Sequence, residues 1–315
     1  MTDTQNEVFK TPVNKIRLFE HGAPGSQNLK LTRKYYTEDM PDGRVKHIVQ
    51  NITDPDIVPY IPDGIGNSTD RQRIPAVLII PGGAFRRLVY NFEGEDVAKW
   101  LNSMGIAAFV LECRLPSDEH DNAEDVPLID AMRAMRVIRG RAQEFGIDKA
   151  KIGVMGFSAG GFMAALLSTA YESDVYADYK YKDEYDKLSA RPDFAVCSYP
   201  VISIDDCIEA GKRYMSEEQV LERISDSKAK ILHKYNPDKL VRPDMPPVFI
   251  CETDDDRTTL SENSVGFYMA ARKAGVSAEL HIFRTGGHGY GCGDDFAQTG
   301  EWKVLFTKWI KSIGI

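Results

Sequence analysis

Short, unbroken apolar runs, each followed by a stretch of helical periodicity, constrain this chain more than any other feature. Ala76–Ile80 precedes Glu93–Met104, Ile106–Leu111 precedes Leu128–Phe145, and Lys151–Met155 precedes Ser158–Ala170. The rhythm resumes with Phe194–Tyr199, Val248–Glu252, a helix over Ser261–Ala274, the run Ala278–Phe283 and a closing helical stripe of Trp302, Leu305, Phe306, Trp309, Ile310 and Ile313. A strand covered on both faces has no polar side to show, so continuous apolar runs predict buried strands. Their alternation with helices predicts an α/β fold, with a mainly parallel central sheet and helices on both faces. Upstream, Val45–Ile52 and Ile57–Ile61 sit among turn residues and read as antiparallel edge strands within an N-terminal segment 1–75.

The 315 residues fit one such domain, 1–315, with two interruptions. The first, 171–190, is polar and carries Tyr171, Tyr176, Tyr179, Tyr181 and Tyr185; the second, 203–235, is charged and helical, and both are expected near the site. In the helix over Leu128–Phe145 the apolar positions recur at threes and fours, and Arg133, Arg136, Arg139 and Arg141 read as its solvated face.

Composition narrows the function. A net charge of −8 with no basic stripe speaks against nucleic acid, and argues mildly for a neutral substrate. The N-terminus has no secretory pattern and the chain no membrane-length apolar run, so neither export nor a membrane partner is expected. Five widely spaced cysteines without a C-x-x-C pair read as free thiols in a reducing cytoplasm, with no metal site. A homo-oligomer is compatible with all of this.

Chemistry concentrates in three loops. Gly156-Phe157-Ser158-Ala159-Gly160 lies between a strand and a helix, the setting of a nucleophile elbow that lifts Ser158 out of a tight turn. A serine hydroxyl needs a base, and of six histidines His288 alone falls in a glycine-rich loop after the last strand and before the last helix. The orienting acid is expected after the preceding strand, where Asp254, Asp255 and Asp256 are adjacent and only one can face an imidazole. Pro81-Gly82-Gly83-Ala84-Phe85, directly after a strand, can supply backbone N–H groups to an oxyanion together with Ala159, each worth roughly 3–4 kcal/mol in the transition state. A calcium loop at the aspartates lacks the alternate ligands and turn glycine.

These motifs, with GEDVA at Gly94–Ala98, DKLSARPDF at Asp186–Phe194, YPVIS at Tyr199–Ser203 and TDDDR at Thr253–Arg257, resemble the α/β-hydrolase esterases that include acetyl xylan esterases and related carbohydrate esterases. The resemblance implies an α/β-hydrolase fold, a nucleophile at Ser158, a base at His288 and an acid at Asp255, with Asp256 in reserve. It implies no cofactor, and a small-molecule or oligosaccharide ester as substrate, acetylated xylo-oligosaccharides above all. Ala84 departs from a common third glycine, and Thr258-Thr259 from an apolar pair that would fix which aspartate is the acid. The tyrosines of 171–190 suggest stacking on sugar rings. Two rival readings stand beside it: a prolyl-oligopeptidase-type peptidase, whose propeller does not fit in the residues before Ala76, and a non-catalytic hydrolase-like ligand-binding protein, which should have lost Ser158, His288 or the acid.

Overall fold

A computed structural model describes residues 9, 12–65, 73–220, 230–293 and 297–315. Eleven strands are found among them: β1 Ile16–Arg17, β2 Lys34–Asp39, β3 Val45–Gln50, β4 Asp56–Tyr60, β5 Ile74–Ile80, β6 Leu88–Val89, β7 Ala107–Glu112, β8 Ile147–Phe157, β9 Ala195–Ser198, β10 Val248–Thr253 and β11 Ala278–Phe283. Eight of them form one sheet in the order β1-β4-β7-β5-β8-β9-β10-β11. From β7 to β11 every neighbour is parallel, while β4 and β1 run antiparallel at one edge. The central strands are the apolar runs of the sequence: Ala76 to Ile79 and Ala107 to Leu111 are fully shielded from solvent.

Five helices matter for the site: α1 Asp96–Ser103, α2 Val126–Gly140, α3 Ala159–Ala170, α4 Ser261–Lys273 and α5 Trp302–Ser312. In α3 every residue from Ala159 to Thr169 is buried, which explains why AGGFMAALLST is apolar all round rather than striped. The C-terminal stripe behaves as expected. Trp302, Phe306 and Trp309 pack inward, edge-on or tilted against Trp100, Phe249 and each other, at roughly 1.5–3 kcal/mol per large side chain buried.

The two strands expected near the N-terminus are both antiparallel, but they lie in different sheets. β4 joins the main sheet, whereas β3 pairs with β2 and β6 in a separate three-stranded sheet. The periodicity of α2 holds, yet Arg133, Arg136 and Arg139 are not a solvated face; Arg141, just past the end of α2, does pair with Glu144 at the surface. Arg133 is 5% exposed, its guanidinium on Asp183, Asp186 and the carbonyl of Leu18. Arg136 donates to Leu188 O and Tyr176 Oη, and Arg139 to the carbonyls of Ser189 and Arg191. The arginine row is the seat of the 171–190 segment. Charge alone cannot distinguish such a row from a wet one, because its carbonyl and carboxylate partners lie some 50 residues downstream.

The second segment, 203–235, contains helices Ile204–Tyr214 and Lys230–Lys234, and its residues 221–229 lie outside the described ones. Cys113, Cys197, Cys251 and Cys292 are buried thiols outside any disulfide. Among the described residues no helix is long and apolar enough to cross a membrane.

Candidate active site

At the carboxyl end of β8 the chain reverses into α3 through Ser158, whose φ of 54° and ψ of −119° lie outside the regions a side-chain-bearing residue prefers. Flanking glycines make the turn fit. A Cβ on Gly156 would stand 1.9 Å from Gly160 O, and one on Gly160 would stand 1.9 Å from Ile80 O. The serine backbone is fixed by its N–H on Ser198 O at 3.0 Å, and Ser158 O accepts from Phe162 N at 3.0 Å.

His288 reaches the elbow from the loop after β11. Its Nε2 lies 2.8 Å from Ser158 Oγ, and its Nδ1 lies 2.6 Å from Asp256 Oδ2. The acid facing the imidazole is therefore Asp256, and the expectation of Asp255 is corrected. Successive residues of the turn after β10 point in different directions: Asp256 goes inward and is 2% exposed, while Asp255 stays at the surface. Asp255 Oδ1 accepts instead from the N–H groups of Gly286 at 2.9 Å and Gly287 at 2.8 Å, pinning the loop that carries His288. The threonines that depart from the expected apolar pair serve Asp256: Oδ1 accepts from Thr258 N at 2.7 Å and Thr259 N at 3.0 Å, and Oδ2 from Thr259 Oγ1 at 2.9 Å. Burial raises the Asp256 carboxyl, but bonds from His288 and these backbone N–H groups outweigh it and hold it below the ordinary carboxylate value. The acid is thus ionised at neutral pH, as an imidazole-orienting partner must be.

The glycine loop after β5 presses against the serine. A Cβ on Gly82 would meet Phe157 O at 2.4 Å and Ser158 Cβ at 2.9 Å. Beyond it Gly83, at φ 138°, is followed by Ala84 at 57° and Phe85 at 59°, so the loop keeps its irregular path with alanine in place of a third glycine. Of the four residues expected to serve an oxyanion, Gly82 is corrected as a donor, because its N–H is spent on Glu93 Oε2 at 2.8 Å. Gly83 and Ala84 line the same cleft as Ser158 and His288, and Ala159 is the first residue of α3.

That cleft has a volume of about 260 Å³. Its wall comes from the N-terminal hairpin and its surroundings, with Met40, Arg44, Lys46 and Arg87 beside Phe92 and Tyr290. The chain is acidic overall, yet this wall gathers three basic residues, two of them paired, Arg44 with Asp42 and Arg87 with Glu38. None of the five tyrosines suggested for stacking is among the residues lining this cleft, and three of them bond elsewhere through their hydroxyls. Tyr176 Oη donates to Asp186 at 2.9 Å, Tyr179 Oη to Gly22 O at 2.9 Å and Tyr171 Oη to Asp244 at 2.7 Å.

The sequence reading passed over Glu93 and Tyr199. Glu93 is 5% exposed, and burial raises its carboxyl, with His288, Gly82 N–H and the Tyr199 hydroxyl opposing. A buried glutamate leaves no mark in a motif search. The one trace is its place beside the family-like Gly94–Ala98 and that of Tyr199 at the head of YPVIS.

Similarity to known proteins shows the family. The acetylxylan esterase of Xylanibacter ruminicola is 31% identical over 240 residues, 76% of this chain and 45% of that protein. The endo-1,4-beta-xylanase B of Butyrivibrio fibrisolvens is 31% identical over 227 residues, 72% of this chain and 34% of that protein. The chain thus spans less than half the length of these curated relatives. Among solved structures, an acetyl ester-xyloside bifunctional hydrolase from Caldicellulosiruptor lactoaceticus is 37% identical, with a TM-score of 0.66, covering 83% of this chain and 89% of that one. A carboxylesterase from Lactobacillus plantarum, 19% identical with a TM-score of 0.65 over 90% of this chain and 98% of its own, shares the fold. Since residues 65–270 also match the BD-FAE family, spanning the glycine loop, the elbow and the aspartate turn, the chain belongs to that family and has the α/β-hydrolase fold.

Proposed function

We propose that this chain is a serine esterase that removes short acyl groups, acetyl above all, from xylo-oligosaccharides or related sugars. The observation that carries the reading is the unbroken line of hydrogen bonds from Ser158 Oγ through the His288 ring to Asp256 at the floor of an open cleft. In the first step His288 Nε2 takes the Ser158 proton as Oγ attacks the acyl carbonyl, giving a tetrahedral oxyanion held by N–H groups of Gly83 and Ala159. Collapse expels the sugar alkoxide, which leaves with the proton from His288, and the acyl group stays on Ser158. A water then loses a proton to His288, attacks the ester and releases the acid, restoring the serine. Asp256 holds the tautomer with the proton on Nδ1 and stabilises the imidazolium in both steps.

The names of the relatives support the substrate class, since one is an acetylxylan esterase and another a bifunctional hydrolase of acetyl esters and xylosides. Buried thiols outside any disulfide suit a reducing cytoplasm, where imported oligosaccharides would be met. Hydrolysis of p-nitrophenyl esters of increasing acyl length, beside release of acetate from acetylated xylan fragments, tests the reading. The expected result is a preference for acetyl, acetate release from the fragments and loss of both activities in Ser158→Ala. Preference for long acyl chains, or an undiminished Ser158→Ala variant, would contradict it.

A further inference from the structure

Resting on the esterase reading, we propose that Glu93 is a positioning residue: it clamps the glycine loop 81–84 to the histidine loop 286–293 and so sets the oxyanion donors against the imidazole. Both of its oxygens are engaged. Oε2 accepts from Gly82 N at 2.8 Å, and Oε1 accepts from Tyr199 Oη at 3.0 Å. The same hydroxyl accepts from Gly291 N at 3.0 Å, three residues after His288. Two loops that meet nowhere in the sequence are thus joined through one buried carboxylate and one buried phenol.

The clamp sits on stiff parts. Glu93 lies in a single π-helical turn, Asn91–Glu95, a wide turn uncommon enough to be associated with functional sites. Gly94 lets that turn approach β7, since a Cβ there would stand 3.0 Å from Val110 Cγ1. Tyr199 holds φ at 38°, a cost borne by the bonds around it: its N–H donates to Cys251 O at 2.7 Å, and its hydroxyl is held between Glu93 and Gly291. Its ring meets that of His288 edge to face, with centroids 5.1 Å apart. The next peptide plane, which carries Gly83 N–H, is held by Val89 N donating to Gly82 O at 2.9 Å, so the glycine is tied on both sides and Glu93 supplies one of the two ties. Removing the carboxylate would leave Gly82 N–H buried without an acceptor and the loop, with the donor after it, held from one side only.

Loss of positioning should appear in the transition state and not in substrate binding, which separates it from a packing defect. The test compares unsubstituted protein, Ser158→Ala, Glu93→Ala, Glu93→Gln and Tyr199→Phe by kcat and KM on p-nitrophenyl acetate. Inhibition by a trifluoromethyl ketone, whose serine adduct is a tetrahedral alkoxide, is measured alongside. Glu93→Ala should lose about 10- to 100-fold in kcat, short of the 10²–10³ for deleting a donor outright, with KM within about threefold. The ketone should weaken in parallel with kcat/KM, and Glu93→Gln, whose carbonyl still accepts from Gly82, should recover most of the loss. Tyr199→Phe, which removes only the hydroxyl, should lose about three- to tenfold in kcat and carries the test if Glu93→Ala does not fold. An unchanged kcat in folded Tyr199→Phe, or a raised KM at constant kcat in Glu93→Ala, would overturn the clamp alone. Absence of Ser158-dependent hydrolysis in the unsubstituted protein would overturn the clamp and the esterase reading together.

Discussion

Asp255 and Asp256 differ by one position and by everything else that matters to an imidazole. Asp256→Asn keeps the shape but offers His288 the wrong partner, and should cost about 10⁴ in kcat on p-nitrophenyl acetate. Asp255→Asn keeps an oxygen for Gly286 and Gly287 and should stay within a few-fold of the parent, so steady-state kinetics of the pair assigns the acid. The lowered Asp256 value also has a signed consequence for stability. A carboxyl depressed on folding contributes fully above its ordinary value, about 3.9, and the contribution is lost as pH falls through the depressed one. Urea midpoints measured between pH 2.5 and 5 should therefore fall less steeply on acidification in Asp256→Asn than in the parent. The sequence brought the choice down to neighbouring aspartates and no further. Which one turns inward depends on the two threonine N–H groups that fold the turn around it, and a string of three aspartates does not encode that.

The elements that build the site differ in how openly their sequences declare them. β5, α3, the second half of β8 and the first four residues of β10 were legible because burial on every side leaves an apolar run. β2, with the sequence KYYTED, and the two-residue β6 were not, since their partners are set by tertiary pairing and their faces are mixed. The glycines sort in the same physical way. Gly160→Ala would drive a Cβ against the backbone of β5 and should destabilise by more than about 3 kcal/mol, whereas Gly266, exposed in α4 with nothing within 4 Å of its added Cβ, should stabilise by about 0.5–1 kcal/mol as alanine. Thermal denaturation of the two variants checks both signs. Tyr176 belongs with the structural group: Tyr176→Ala should cost about 3 kcal/mol by unseating 171–190 from the arginines of α2 while leaving KM for acetylated oligosaccharides unchanged.

Across the whole molecule, parallel strands of one sheet deliver the glycine loop, the elbow, the aspartate turn and the histidine loop to a common edge, where open α/β sheets meet their ligands. That convergence explains why serine, acid and histidine, 130 residues apart along the chain, stand within hydrogen-bonding distance. It also explains what composition could not supply. The basic residues on the cleft wall sit on β3 and in the turns next to β3 and β6, and they are diluted in an acidic total. The reaction assigned to this arrangement passes through an acyl group on one oxygen, and trapping it is the most direct test. Protein quenched in acid during turnover of p-nitrophenyl acetate, digested and analysed by mass spectrometry, should carry a single acetyl group on the peptide containing Ser158. Turnover with that peptide unmodified, and with Ser158→Ala as active as the parent, would contradict the account.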